Sequence, residues 1–98
     1  MAVLDTLSGK IVAQLDCVGD TDDLFFDAAL RRVYVSGGEG FLSVFQERDP
    51  DHCIDLAKIP TAAGARTSLF VPDLKRIYLA VPHRGAQAAE LRVYETQP

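Results

Sequence analysis

Apolar residues come in short runs along this chain, partly alternating with polar ones and broken by clusters of Gly, Pro or Asp. Ile11-Val12-Ala13-Gln14-Leu15, Arg32-Val33-Tyr34-Val35 and Ser43-Val44-Phe45 are such runs, rich in the β-branched and aromatic side chains that fit a pleated, half-buried surface. No segment keeps a 3.6-residue periodicity for the length of a helix. The pattern predicts an all-β, antiparallel chain with strands at about 2–5, 11–15, 23–27, 32–36, 41–46, 53–59, 67–71, 76–80 and 90–95. Ser8-Gly9-Lys10 offers a glycine to a turn that needs positive φ, and Asp49-Pro50-Asp51 offers a proline of preset φ between aspartates able to bond nearby amides.

The runs repeat. Leu30-Arg31-Arg32-Val33-Tyr34-Val35 returns 44 residues later as Leu74-Lys75-Arg76-Ile77-Tyr78-Leu79, a spacing within the range of propeller blades. Leu24-Phe25-Phe26 answers to Ser68-Leu69-Phe70 at the same spacing. Ser43-Val44-Phe45 answers to Arg92-Val93-Tyr94 at a spacing of 49, so the later copy holds five extra residues before its last strand. Val3-Leu4-Asp5-Thr6 before Ile11-Val12-Ala13-Gln14-Leu15 parallels Val44-Phe45-Gln46 before Ile54-Asp55-Leu56-Ala57-Lys58-Ile59. With the strands of each repeat lettered A to D from the inner edge outward, the chain reads C-D-A-B-C-D-A-B-C. A single domain, 1–98, then holds the outer strands of one repeat at 1–15, a complete four-stranded repeat at about 19–59 and a second repeat at about 64–95.

Several residues place the repeat more closely. Pro72-Asp73 with Arg76-Ile77-Tyr78 makes a turn and second strand, Arg32-Val33-Tyr34-Val35 a signature tetrapeptide, and Asp5-Thr6 with Gly9-Lys10 an outer hairpin. In that order they resemble the YVTN (YncE-like) repeat of bacterial β-propellers, over nearly the whole chain. Ala28-Ala29 stands where that repeat has Pro-Asp, Leu30 and Leu74 stand where it has a turn glycine, and its Thr-Asn after the second strand is missing. The resemblance is therefore one of class. It implies blades of a larger toroid, commonly about seven, with ligands at one face of the central channel and an exported, periplasmic or secreted parent. Two blades cannot close a ring, so the implied partners are other propeller blades, in a longer parent chain or by self-association into an oligomeric ring. In a ring of copies Ala2 to Asp5 competes with Leu91 to Glu95 for one strand position and has to be displaced.

Composition narrows the partners. Fourteen acidic against ten basic residues, a net charge of -4, leave no electrostatic footprint for a phosphate backbone, so no nucleic acid is expected. No apolar run reaches the length of a membrane span, and Met1-Ala2-Val3-Leu4-Asp5 lacks the basic and apolar regions of a signal peptide; no membrane is expected either. Cys17 and Cys53 have no CxxC or flanking-His spacing and are read as small apolar residues on or beside strands.

Candidate chemistry lies on the D-to-A and B-to-C loops, which share one end in this wiring, because loops carry function. Asp20, Asp22 and Asp23 crowd the first such loop, as hard oxygen ligands for a cation or a basic group, or as a solvated turn whose carboxylates bond nearby amides. Arg66 stands in the next repeat where Asp22 stands in its predecessor. Alternating charge could orient a peptide-like ligand, but a surface ion bridge between neighbouring repeats is the simpler reading. Glu39 lies in the short B-to-C loop of the first full repeat. His83 and Arg84 lie in the enlarged equivalent, and long insertions into repeats map to binding faces. His52, in the opposite turn, is read as surface, and Tyr34 and Tyr78 as packing residues.

No glycine-rich phosphate loop, nucleophile triad or zinc spacing is present. The expectation is a non-catalytic module, with no catalytic residue, metal or cofactor, that binds a protein, peptide or small ligand through Asp20, Asp22, Asp23, Glu39, Arg66, His83 and Arg84. The alternative is a fragment of a propeller enzyme, lactonase-like or quinone/amine dehydrogenase-like, with its site shared among blades. Fold alone does not choose between them.

Overall fold

The structure is a computed structural model describing residues 1–98. Nine strands form: β1 (Ala2–Leu4), β2 (Ile11–Gln14), β3 (Thr21–Asp27), β4 (Arg32–Gly37), β5 (Phe41–Asp49), β6 (His52–Pro60), β7 (Ser68–Val71), β8 (Arg76–Val81) and β9 (Glu90–Glu95). The one helical piece is a single 3-10 turn at Pro72–Leu74, and no helix is long and apolar enough to cross a membrane. The strands join in chain order into three antiparallel sheets, β1-β2, β3-β4-β5-β6 and β7-β8-β9. The chain is thus all-β. The β5–β6 hairpin runs further than its apolar pattern suggests, because the Asp49 carboxylate accepts the Asp51 N–H at 2.9 Å and closes a tight turn around Pro50.

The hydrogen-bond register carries the sequence repeat into space. Leu24, Phe25, Phe26 and Asp27 face Val35, Tyr34, Val33 and Arg32 across β3–β4. The residues 44 positions on, Ser68 to Val71, face Leu79 to Arg76 across β7–β8 in the same order. Val33↔Phe45 and Tyr34↔Val44 across β4–β5 likewise return as Ile77↔Tyr94 and Tyr78↔Val93 across β8–β9. The β1–β2 ladder copies β5–β6: Val3↔Ala13 matches Val44↔Ala57, and both ladders slip at the same step, Val3/Leu4 and Val44/Phe45. Because a one-residue slip would turn every side chain to the other face, matching registers give the sheets matching faces.

Those faces stack. On one side of the middle sheet, Val35 and Phe45, 0 % and 1 % exposed, pack with Val18 against Met1 and Leu15 of the first sheet's side. On its other side Tyr34, Leu42 and Val44 pack against Phe70 and Ile77 of the third sheet, with the Tyr34 and Phe70 rings 5.2 Å apart and tilted by 56°. Only the middle sheet is covered on both faces, and its β4 is accordingly buried along most of its length. Of the four aromatic and leucine positions on the inner strands, Phe70 is 8 % exposed, whereas Phe26 and Leu69 are 48 % and 56 % exposed. Phe26 faces a first sheet of two strands, and Leu69 faces away from the other sheets.

The turns between β3 and β4 and between β7 and β8 also correspond. Each places a basic residue in the left-handed region, Arg31 and Lys75, both at φ 53°. Leu30 and Leu74, which stand in the place of the repeat's turn glycine, are not the left-handed residues; the chain reverses one residue later. In the first turn buried Asp27 accepts the Ala29 and Leu30 N–H groups at 3.0 and 3.3 Å and the Tyr34 hydroxyl at 3.1 Å. Burial, and then the Asp27 charge, push the Tyr34 hydroxyl above its ordinary pKa. In the second turn Val71 replaces that aspartate, and Pro72 presets the first φ of the 3-10 turn instead.

Candidate functional site

Four loops meet at one end of the stack: 15–20 before β3, 38–40 between β4 and β5, 61–67 between β6 and β7, and 82–89 between β8 and β9. Backbone bonds lace them together. Gly38 and Glu39 donate to the Asp20 and Gly19 carbonyls at 2.8 and 3.2 Å, and Thr61 and Gly64 donate to the Gly40 and Gly38 carbonyls at 2.8 Å each. Gly38 permits this approach, since a Cβ there would run into the Asp20 carboxylate and lie 3.0 Å from Arg66 Nε. Such a chain of bonds holds loops of two different sheets as one rim.

Of the three aspartates expected on the first loop only Asp20 lies there, Asp22 and Asp23 falling on β3, and all three reach across to the next sheet instead of bonding amides within their own turn. Asp20 Oδ2 accepts both Arg66 Nε at 2.9 Å and Arg66 Nη2 at 2.8 Å. Asp22 accepts the Thr67 hydroxyl at 3.1 Å, and Asp23 accepts the Ser68 N–H at 2.8 Å. Three acids thus meet three successive residues, Arg66 to Ser68. Beneath them Ser36 Oγ gives its single proton to the Arg66 carbonyl at 2.6 Å, which leaves it to accept from Ser68 Oγ at 2.7 Å. The arrangement is a clasp between neighbouring sheets. The ion pair in it is half exposed and contributes at most about 1 kcal/mol, so orientation is its main effect.

Glu39 is engaged too. One of its oxygens accepts the Gly19 N–H at 2.7 Å and the other lies 3.9 Å from Lys58 Nζ, which in turn sits 4.3 Å over the Phe41 ring. No cluster of three His, Cys, Asp or Glu side chains is gathered in a way that could hold a metal ion.

The fourth loop differs. Arg84 and Gln87 exchange backbone bonds at 2.9 and 2.7 Å around Gly85, forming a small hairpin tip. Gln87 Nε2 pins this tip to the rim by donating to the Ala63 and Pro82 carbonyls at 3.0 and 2.8 Å. The Arg84 guanidinium lies on Gly64, whose φ of 80° excludes most side chains and whose missing Cβ would sit 2.6 Å from Arg84 Nε. Arg84 and His83 are exposed, and neither side chain takes part in a hydrogen bond or ion pair. Nothing in the sequence singles out Gln87, Thr67 or Ser36. Uncharged side chains in loops and strands carry no charge signal, and only the size of the 82–89 insertion pointed toward Gln87.

All seven candidates, Asp20, Asp22, Asp23, Glu39, Arg66, His83 and Arg84, therefore lie on loops or strand ends at one end of the molecule. Clefts lie between the first and middle sheets, between the middle and third, and on the third sheet's open face, and an open hollow borders the first rim loop at Leu15 and Asp16. At the opposite end His52 pairs with Asp49 at 2.7 Å; that hydrogen bond and charge raise the imidazole above its ordinary pKa and lower the carboxylate below its own. Cys17 and Cys53 are free thiols packed beside Val18, Val35 and Phe45, and burial pushes Cys53 upward, away from thiolate reactivity. No family model matches the chain, and no curated protein or solved structure matches it.

Proposed function

We propose that the three sheets are successive blades of a β-propeller of the YVTN (YncE-like) kind, in the order C-D-A-B-C-D-A-B-C, and that the laced loop end is a non-catalytic surface binding a carboxylate-bearing peptide or protein segment. The repeated register and stacked faces support the first part. The observation that carries the second is the uneven satisfaction of charge at the rim. Asp20, Asp22, Asp23 and Glu39 each already accept a bond, and Arg66 is spent on Asp20, while Arg84 and His83 stand free beside one another. The Arg84 guanidinium, lying over Gly64 with its donors unpaired, is a planar fork that suits two carboxylate oxygens. Among the seven candidate residues the anionic ones already accept bonds while the Arg84 guanidinium is left unpaired, so an anionic partner is the better fit.

Titration with an oligoglutamate peptide, followed by amide chemical shifts, tests this. Saturable shifts confined to residues 61–67 and 82–89, weakened by salt and lost in Arg84→Glu, are expected. Shifts that ignore Arg84→Glu, or Ca²⁺ raising the melting temperature through Asp22, would replace this reading with a cation site at the clasp.

A further inference from the structure

The two ends of the stack are complementary. The third sheet turns Leu69, Leu91 and Val93, 56 %, 65 % and 50 % exposed, to solvent beside Tyr78. These line or adjoin an open hollow of about 430 Å³. By register, Tyr78, Leu91 and Val93 occupy the places of Tyr34, Leu42 and Val44, which the third sheet itself covers to 3 %, 2 % and 6 % exposure. The open face is therefore of a kind that this chain buries once already, against a sheet of its own sequence.

The other end carries the matching gap. A cleft of about 290 Å³ runs between β1 and Leu24, Phe26 and Val33. Phe26 occupies the place of Phe70. Phe70 is covered by Tyr34 and Phe25, whose ring centres lie 5.2 and 6.4 Å from its own, while Phe26 has no aromatic neighbour of that kind and stays 48 % exposed. One repeat away, the residues in the places of Phe25 and Tyr34 are Leu69 and Tyr78.

We propose that a second copy of this chain fills the cleft, its Leu69 and Tyr78 lying against Phe26 as Phe25 and Tyr34 lie against Phe70. The proposal rests on reading the sheets as successive repeats. The contact joins unlike surfaces, so copies add head to tail into a ring or a filament. It also brings β9 of one copy and β1 of the next to one strand position, the one β5 holds in the middle sheet. The six-pair β8–β9 ladder outlasts the three-pair β1–β2 ladder, so β1 yields and β2 joins β9 with Val93 opposite Ala13.

Sedimentation velocity across a wide concentration range, with circular dichroism on each sample, tests this. Concentration-dependent association is expected, weakened at least tenfold by Leu69→Glu, whose exposed site leaves the fold intact. Val3→Pro, which takes β1 out of its ladder, is expected to strengthen association at least tenfold. A β-sheet species that stays monomeric at millimolar concentration, or association indifferent to Leu69→Glu, would overturn the proposal. Weaker association in Val3→Pro would overturn the displacement of β1. A spectrum without β-sheet would instead overturn the repeat reading.

Discussion

At the scale of single residues, the polar groups inside this thin core decide more than their number suggests. Thr61 Oγ1 is buried without a hydrogen-bond partner, which costs roughly 1–3 kcal/mol of desolvation. Thr61→Val keeps the branched shape and removes the hydroxyl, so it should raise stability by about 1 kcal/mol, read as a higher urea midpoint at unchanged slope. Asp27 is the opposite case, a buried carboxylate whose three donors are all in place. Sequence could not separate these two. Both are polar residues at or just beyond a strand end, and satisfaction depends on partners such as Tyr34, which lies on another strand.

At the scale of elements, the strands were legible because β-branched and aromatic runs have only one comfortable place, a half-buried pleat. The clasp was legible only in part. The sign reversal between Asp22 and Arg66 pointed to an ion bridge across repeats, but Arg66 pairs with Asp20, while Asp22 meets Thr67, because the loop before β3 bends through the left-handed Asp20 at φ 55°. The turn joining β5 and β6 depends on its Asp49–His52 pair. The raised His52 contributes stability that is whole below its unfolded value of 6.5 and fades as pH climbs through the higher folded value. The lowered Asp49 contributes above its unfolded value of 3.8 and fades as pH falls through the lower folded value. The hairpin tip should therefore be firmest between those limits. Nuclear magnetic resonance titration of the His52 ring should place its midpoint above 6.5, and Asp49→Asn should bring it back toward that value.

At the scale of the whole molecule, the shape is a short stack measuring 47 × 27 × 19 Å, with a radius of gyration of 14.1 Å against about 13 Å for a compact chain of this length. Only 16 of 98 residues are buried, so stability is concentrated in the middle sheet. Leu42 and Leu91 test that concentration, because they hold the same register position in the middle and third sheets, at 2 % and 65 % exposure. Leu42→Ala should cost roughly 2–5 kcal/mol in dilute urea unfolding, and Leu91→Ala less than about 0.5 kcal/mol. The spacing of 49 that aligns Ser43-Val44-Phe45 with Arg92-Val93-Tyr94 also aligns the two leucines just before them. It could not show that they differ, because coverage of one repeat is a property of its neighbour.

The slip shared by the β1–β2 and β5–β6 ladders bears on how the chain sorts itself while folding. At that step β2 would fit β5 locally as it fits β1, so the shared slip by itself does not choose the pairing. The choice falls to timing: each strand meets its rightful mate first because so few residues intervene, and loop closure is quickest over short spans. Correct assembly of these twin hairpins is thus a race decided by tether length.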